Sequence, residues 1–515
     1  MKKSFLASAC VMAASVFTLL FTSASAYAER VLVVGDSITA QSNLDWGYTP
    51  MVRKALADVG ATDVQFVPLG ASGSTISSWL HTVERSKTDP NVRGDRPEIL
   101  FKTEFDLGAD TLFIFLGMND ALCPTVFPTE EGYAKWKADY CQLIDLLRDR
   151  VPTAKRILLC PATMLTENPY AFKNQMMDRM GEIMREIAKE KNAEIVDLRG
   201  EIKRFFLNVR LVNNAFHFTP DCVHPTMDGH RVMAWTFLRA MGQEAAAKKV
   251  YDEMPDWLTD FDSAGMSLFV LNSAEAGKMQ IRGHLRGEKK ENLTVTCPEG
   301  WKLDEIVNLA GDEFEIRLSG CAMDWTAEVT VKAGEIERKI KLNAPFYVSE
   351  FLDGKPFHGG DSYDAAATKT EVDDAILAGT DPLQAKLNGK PLAWTVYYPQ
   401  ADVTGYDLPN AVDFASVANG QQFQSAYIVR KVTSPKAQTV TLKINALSFS
   451  TMAFPTIYVN GKQVYEDCVS PRHKKRNDSI QIELKEGENI ISARVGHFAW
   501  QWAVEFALEG ENLKP

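Results

Sequence analysis

Between Arg30 and about Met241 the chain alternates short aliphatic runs with longer amphipathic ones, and this alternation limits its fold more than any other property. The runs at 31–34, 64–67, 112–116, 157–160 and 194–196 have the length and composition of buried strands. Between them, "YAKWKADYCQLIDLLRDRV" and "FKNQMMDRMGEIMREIAKEKN" space apolar residues three and four apart, which puts them on one helical face. A last helix is predicted over "MDGHRVMAWTFLRAMGQEAAAKK". Strands joined through helices run parallel, and a parallel sheet buries both faces. The expected architecture over 29–250 is therefore a three-layer α/β domain.

After that helix the period changes from three or four to two. "LTVTCPEGWKLDE", "DEFEIRLSG" and "TAEVTVKAGEIERKIKL" alternate in polarity and are separated by turn residues, which predicts a small Ig-like β-sandwich over 265–345. A second β region is expected over 346–515, with a loop-rich start and runs such as "QTVTLKINAL" and "SIQIELKEGENIISARV". Asn460-Gly461 between two such runs predicts a tight hairpin. The aromatic alternation in "HFAWQWAVEF" reads as a strand facing its own core, with stacking on sugar rings as the alternative.

At 515 residues the chain exceeds what one core supports, in keeping with this multidomain reading. Lys2 and Lys3 precede the apolar run 5–21, and small residues lead to Ala26-Tyr27-Ala28, so residues 1–28 are expected to be a signal peptide. A secreted or periplasmic location follows, with no membrane span in the mature protein. The formal charge of −11 becomes −13 once Lys2 and Lys3 leave. Such acidity argues against nucleic acid as a partner and fits a neutral or weakly charged substrate. The basic cluster "RHKKR" at 472–476 reads as a solvated loop. Removing the leader leaves an odd number of cysteines, of which Cys297 and Cys321 flank a predicted strand pair and are the candidate bridge. No histidine or cysteine spacing suggests a metal site, and no cofactor is expected.

The first aliphatic run ends in Gly35, Asp36 and Ser37. A glycine turn and a helix cap would account for these three residues. The sharper reading places the Ser37 hydroxyl at the carboxyl end of a parallel strand, where open α/β sheets hold ligands. Three further pieces sit at matching points. "PLGASGST" follows the second strand, "FLGMNDA" follows the third, and "DCVHPTMDGH" precedes the last helix with Asp221 three residues before His224. A turn at Gly73, a cap at Asn119 and a surface turn at 221–224 would each be ordinary alone. Their occurrence together, in order along one sheet edge, supplies a nucleophile, a base, an orienting carboxylate and oxyanion donors.

Over roughly 30–245 these blocks resemble the SGNH, or GDSL-type, serine hydrolase family: "GDSI" the first block, "GASG" the second, "GMND" the third and "DCVH" the last. Pro68 replaces the Asn often found at the start of the second block. The resemblance implies a flavodoxin-like sheet order and a serine esterase with Ser37 as nucleophile, His224 as base and Asp221 as its orienting acid. Oxyanion donors would be the N–H groups of Ser37 and Gly73 and the amide of Asn119. Asp36 and Asp120 are read as supporting or capping carboxylates, and His217 and His230 have no assigned part.

Family resemblance leaves the ester open. Export and the appended β regions, the last of which resembles galactose-binding-like jelly-roll modules, point to an acylated glycan. Removal of O-acetyl or other short acyl groups from a polysaccharide is the preferred expectation. A lipid or general short-chain carboxylesterase and a non-catalytic glycan-binding scaffold are the alternatives. The oligomeric state is not legible from the sequence.

Overall fold

The structure is a computed structural model. It describes residues 29–122, 128–271, 273, 275–353, 357–358, 362–363, 369–399, 411–414, 417, 424–446, 451–467, 476–500 and 502–515. The expected leader 1–28, Cys123, Cys468 and positions 472–475 of the basic cluster lie outside the described residues.

Five strands, β1 (Glu29–Gly35), β2 (Val64–Gly70), β3 (Thr111–Phe115), β4 (Arg156–Leu159) and β5 (Glu194–Ile195), form a parallel sheet in the order β2-β1-β3-β4-β5. This is the flavodoxin-like order, in which winding reverses between β1 and β3 and opens a crevice at their carboxyl ends. Val31, Leu32, Val33 and Val34 are all fully buried, as both faces of a central parallel strand must be. The second strand runs past its expected end, through Pro68 to Gly70. It can do so because β2 is the sheet edge and pairs only with β1, so the N–H that proline lacks is not needed by a neighbour.

Helices Tyr48–Asp58, Ile76–Arg85, Glu130–Arg150, Phe172–Glu190, Leu198–Val212 and Met227–Ala240 accompany the sheet. Three begin at threonine caps, Thr75, Thr129 and Thr226, whose side chains satisfy N–H groups in the first turn. The single last helix expected from the sequence is two helices, Met227–Ala240 and Glu244–Asp252. Gly242 separates them at φ +76°, a left-handed conformation that ends a helix cheaply only at glycine.

Residues 265–343 fold into seven antiparallel strands in a four-stranded and a three-stranded sheet around Met266, Ile281, Phe314, Ile316, Val329 and Val331. Arginines tie this sandwich to the α/β layer. Arg338 donates to the carbonyls of Leu211 and Met266, and Arg286 donates to Asn208 Oδ1 and the Phe261 carbonyl. The candidate Cys297–Cys321 bridge is absent, and both thiols are free. Cys297 packs against the sandwich core, whereas the exposed Cys321 sulfur faces Met323, 3.9 Å away.

The C-terminal strands form a larger antiparallel sheet and a four-stranded one around Val412, Ile428, Leu442, Ile457, Val495 and Phe506. Asn460 (φ +48°) and Gly461 (φ +82°) join Thr451–Val459 to Lys462–Glu466, as the turn signal predicts. Trp502 and Phe506 face this core, with the Trp502 ring stacked between those of His497 and Phe414. These rings pack within the core, while the side chains of Phe498 and Trp500 in the same stretch lie outside the described residues. Among the described residues no helix is long and apolar enough to cross a membrane.

Candidate active site

The end of β1 is shaped by what surrounds Gly35. A Cβ there would lie 2.0 Å from the Thr39 hydroxyl, and the Gly35 carbonyl accepts the Trp79 indole N–H and the Ala71 N–H, each at 3.1 Å. Asp36 then caps the five-residue helix Ser37–Gln41 by accepting the Ile38 N–H at 3.0 Å. Ser37 is thus the first helical residue at the β1/β3 reversal. The end of β2 is held close to the same helix: a Cβ on Gly70 would meet the Ala40 nitrogen at 2.1 Å, which only glycine avoids. Three residues on, Gly73 adopts φ +72°. Neither the Ser37 nor the Gly73 N–H donates to another group among the described residues.

Beyond β3, Gly117 turns the chain at φ +119° into the short helix Met118–Leu122. Asn119 is 2% exposed, and its amide donates to the Ser74 carbonyl at 3.0 Å while lying 3.4 Å from Asp36 Oδ2. It thereby joins the three loops that follow β1, β2 and β3. Asp120 accepts the N–H of Ile76 with both oxygens at 3.3 Å and caps the helix Ile76–Arg85. Asp36 and Asp120 therefore do the capping work expected of them.

The last block completes the arrangement. His224 Nε2 lies 2.9 Å from Ser37 Oγ, and its Nδ1 lies 2.6 Å from Asp221 Oδ2. The other Asp221 oxygen accepts the N–H groups of His224 at 2.7 Å and Val223 at 2.9 Å, so carboxylate and imidazole are held by one tight turn. Nδ1 faces a carboxylate and so carries the proton, which leaves Nε2 free to accept from the serine hydroxyl.

Burial alone would lower the His224 pKa, but the hydrogen bond and charge of Asp221, with the charge of Asp36, hold it above the ordinary histidine value. Burial alone would raise the Asp221 carboxyl, but the His224 ring and the two backbone donors hold it below the usual carboxylate value. Burial pushes Asp36 up to about 6 and Asp120 up to about 7. His230, fully buried in the helix Met227–Ala240, is pushed down to about 3 by burial and by the neighbouring His224.

Glu167 is a supporting residue that sequence reasoning missed. Buried to 1% exposure, it accepts from the N–H groups of Phe218 and Thr219 and from the Thr219 hydroxyl, and so braces the loop that delivers Asp221. Beside it, the Thr166 N–H donates to the carbonyl of Cys222, itself at φ +70°. Burial pushes the Cys222 thiol well up, and the charges of Asp413, Glu167 and Asp221 add to this. His217 takes no part in the Ser37 cluster, and its buried Nδ1 has no hydrogen-bond partner among the described residues.

Residues 33–232, which hold Ser37, Gly73, Asn119, Asp221 and His224, match the model of the GDSL-like lipase/acylhydrolase family. An acetylxylan esterase of Geobacillus stearothermophilus is 24% identical over 229 residues, covering 42% of this chain and 95% of that protein. Among solved structures, the acetyl xylan esterase AlAXEase is 23% identical over 41% of this chain and 98% of its own, with a TM-score of 0.33. LAE5, an alpha/beta hydrolase enzyme from the metagenome of Lake Arreo, Spain, is 23% identical over 42% of this chain and 97% of its own, with a TM-score of 0.32.

Proposed function

We propose that this chain, whose residues 33–232 form a GDSL-like lipase/acylhydrolase domain, is an exported serine esterase that removes O-acetyl or similar short acyl groups from a polysaccharide. The observation that carries the reading is the continuous contact from Asp221 through His224 to Ser37, in a domain where the Ser37 and Gly73 N–H groups have no partner among the described residues. The names of the matched acetylxylan esterases support an acetylated carbohydrate as the substrate class.

In this reading Ser37 Oγ attacks the ester carbonyl carbon while His224 Nε2 takes the hydroxyl proton. Asp221 keeps the ring in the required tautomer and stabilises the imidazolium. The carbonyl oxygen becomes an oxyanion, met by the Ser37 and Gly73 N–H groups and the Asn119 amide. Collapse breaks the bond to the sugar oxygen, which leaves as the alcohol with the proton from His224, and an acyl-Ser37 ester remains. Water then attacks that ester with His224 again as base, releasing the carboxylic acid and restoring Ser37.

The test is acetate release from a panel of acetylated polysaccharides by the mature protein, with Ser37→Ala alongside. Wild type is expected to release acetate, and Ser37→Ala to lose on the order of a millionfold in kcat, the scale seen when a serine nucleophile is removed. Acetate release that survives in Ser37→Ala overturns the assignment of the nucleophile. Turnover of long-chain esters equal to or better than that of acetyl esters overturns the short-acyl reading in favour of a lipid esterase.

A further inference from the structure

The loop between the Ser37–Gln41 helix and the Tyr48–Asp58 helix carries a side chain with no part in the chemistry above. Trp46 is 37% exposed, a large apolar surface left to solvent, as is that of Trp257 at 44% farther along the chain. The loop beneath it is tightly built. The Ser42 hydroxyl donates to the Thr39 carbonyl at 2.6 Å and shares a hydrogen bond with the Thr49 hydroxyl at 2.7 Å, and the Thr49 N–H donates to the Ser42 carbonyl at 3.0 Å. The Gly47 N–H donates to the Leu44 carbonyl at 2.7 Å, and a Cβ on Gly47 would sit 2.2 Å from the Ser42 oxygen. These contacts give the loop one shape.

Tyr48 fixes that shape relative to Ser37. Its hydroxyl lies 3.2 Å from Thr39 Oγ1, two residues past the nucleophile, and its backbone N–H donates to His230 Nδ1 at 3.3 Å. An accepting Nδ1 puts the His230 proton on Nε2, which is buried and has no hydrogen-bond partner among the described residues. The imidazole instead meets the Trp46 indole edge to face, with centroids 5.1 Å apart and planes at 67°, a geometry suited to an N–H directed at a ring. One part of the indole thus rests on a buried, uncharged histidine. The rest of the side chain faces solvent, on the loop that begins where the Ser37–Gln41 helix ends.

We propose that Trp46 is a stacking platform for a sugar ring of the substrate adjoining the acylated one, a specificity determinant that rests on the polysaccharide reading above. A pyranose offers an apolar C–H face, and an indole held in place beforehand provides a large rigid surface with little freedom left to lose on binding.

The experiment measures kcat and KM of wild type, Trp46→Ala and Trp46→Phe on acetylated xylo-oligosaccharides and on para-nitrophenyl acetate, which has no sugar. In Trp46→Ala the ratio of kcat/KM for oligosaccharide to that for para-nitrophenyl acetate is expected to fall about tenfold, through oligosaccharide KM, the size of effect one aromatic stack supplies. Trp46→Phe is expected to recover most of that ratio. A ratio unchanged in Trp46→Ala, whether both activities fall together or neither does, overturns the platform. A wild type that cleaves para-nitrophenyl acetate but no acetylated saccharide removes the substrate reading itself, whereas an active wild type with an indifferent variant removes only the platform.

Discussion

Asp373 in the C-terminal sandwich and Asp221 in the α/β layer are both carboxylates that gather hydrogen bonds, and the two networks end differently. Asp373 is fully buried. One of its oxygens accepts from the Tyr427 hydroxyl at 2.6 Å and the Thr370 N–H at 2.8 Å, and the other accepts from the Tyr458 hydroxyl at 2.5 Å and Arg494 Nε at 3.1 Å. Every one of these donors converges on the carboxylate, so the network closes on itself. Asp221 is partly exposed, and its contacts lead outward through His224 to the Ser37 hydroxyl, on a residue whose own N–H has no partner among the described residues. A closed network holds a fold together, and an open one keeps hydrogen-bonding capacity for a ligand.

The largest expected effect lies in the open network. Asp221→Asn is expected to lower kcat about ten-thousandfold, because an amide no longer enforces the His224 tautomer. The pH profile adds a second readout. His224 must be neutral to act as base, and its pKa is held above the ordinary value, so wild-type kcat/KM should rise with pH through a point above that of free histidine. In Asp221→Asn this limb should move to lower pH, and a limb that stays in place would show that Asp221 is not what raises His224. The linked stability has the matching sign. The Asp221–His224 pairing stabilises the fold fully below the unfolded histidine pKa and loses that contribution as pH rises through the folded value.

In the closed network, Asp373→Asn is expected to cost about 3–5 kcal/mol of stability, the usual result of breaking a buried ion pair from one side. Calorimetry should show an earlier transition while turnover of para-nitrophenyl acetate at room temperature stays within about a factor of two of wild type. A large loss of turnover without a shift in melting would erase the contrast between the two carboxylates. The smallest effect of the three tests a residue that belongs to both kinds of network. Asn119 is buried and bonded to Ser74, yet is assigned to the oxyanion, and Asn119→Ala should lower kcat by about a hundredfold or somewhat more with little change in KM. A change confined to melting temperature would place Asn119 with Asp373.

Much of the α/β layer was legible in the sequence because its signals are local. Four aliphatic residues before Gly35-Asp36-Ser37 suffice to place a buried strand, a cap and a helix start, and the Asp221 to His224 spacing is that of one turn. The extension of β2 through Pro68 to Gly70 was not legible because a missing N–H is harmless only where no second strand lies beside it, and sheet position is not a local property. The last helix was read as one because the propensity of 227–249 is high throughout, whereas Gly242 breaks it through backbone conformation. Glu167 had no signal at all. It is a lone acidic residue in a loop, and its role depends on Phe218 and Thr219 being brought to it from about fifty residues away. Cys297 and Cys321 flanked the right strands, but their sulfurs point to different surroundings.

The contact between Ser37 and His224 joins positions 187 residues apart, and this sets a schedule for biosynthesis. At the usual pace of roughly 5–20 residues per second, the base leaves the ribosome on the order of ten to forty seconds after the nucleophile. During that interval the strand-to-helix turn that carries Ser37 has no imidazole beside it, and a serine hydroxyl without a base is a poor nucleophile. The loop that Glu167 braces is therefore the last piece of the cluster to be synthesised, and the Ser37–His224 contact waits on it.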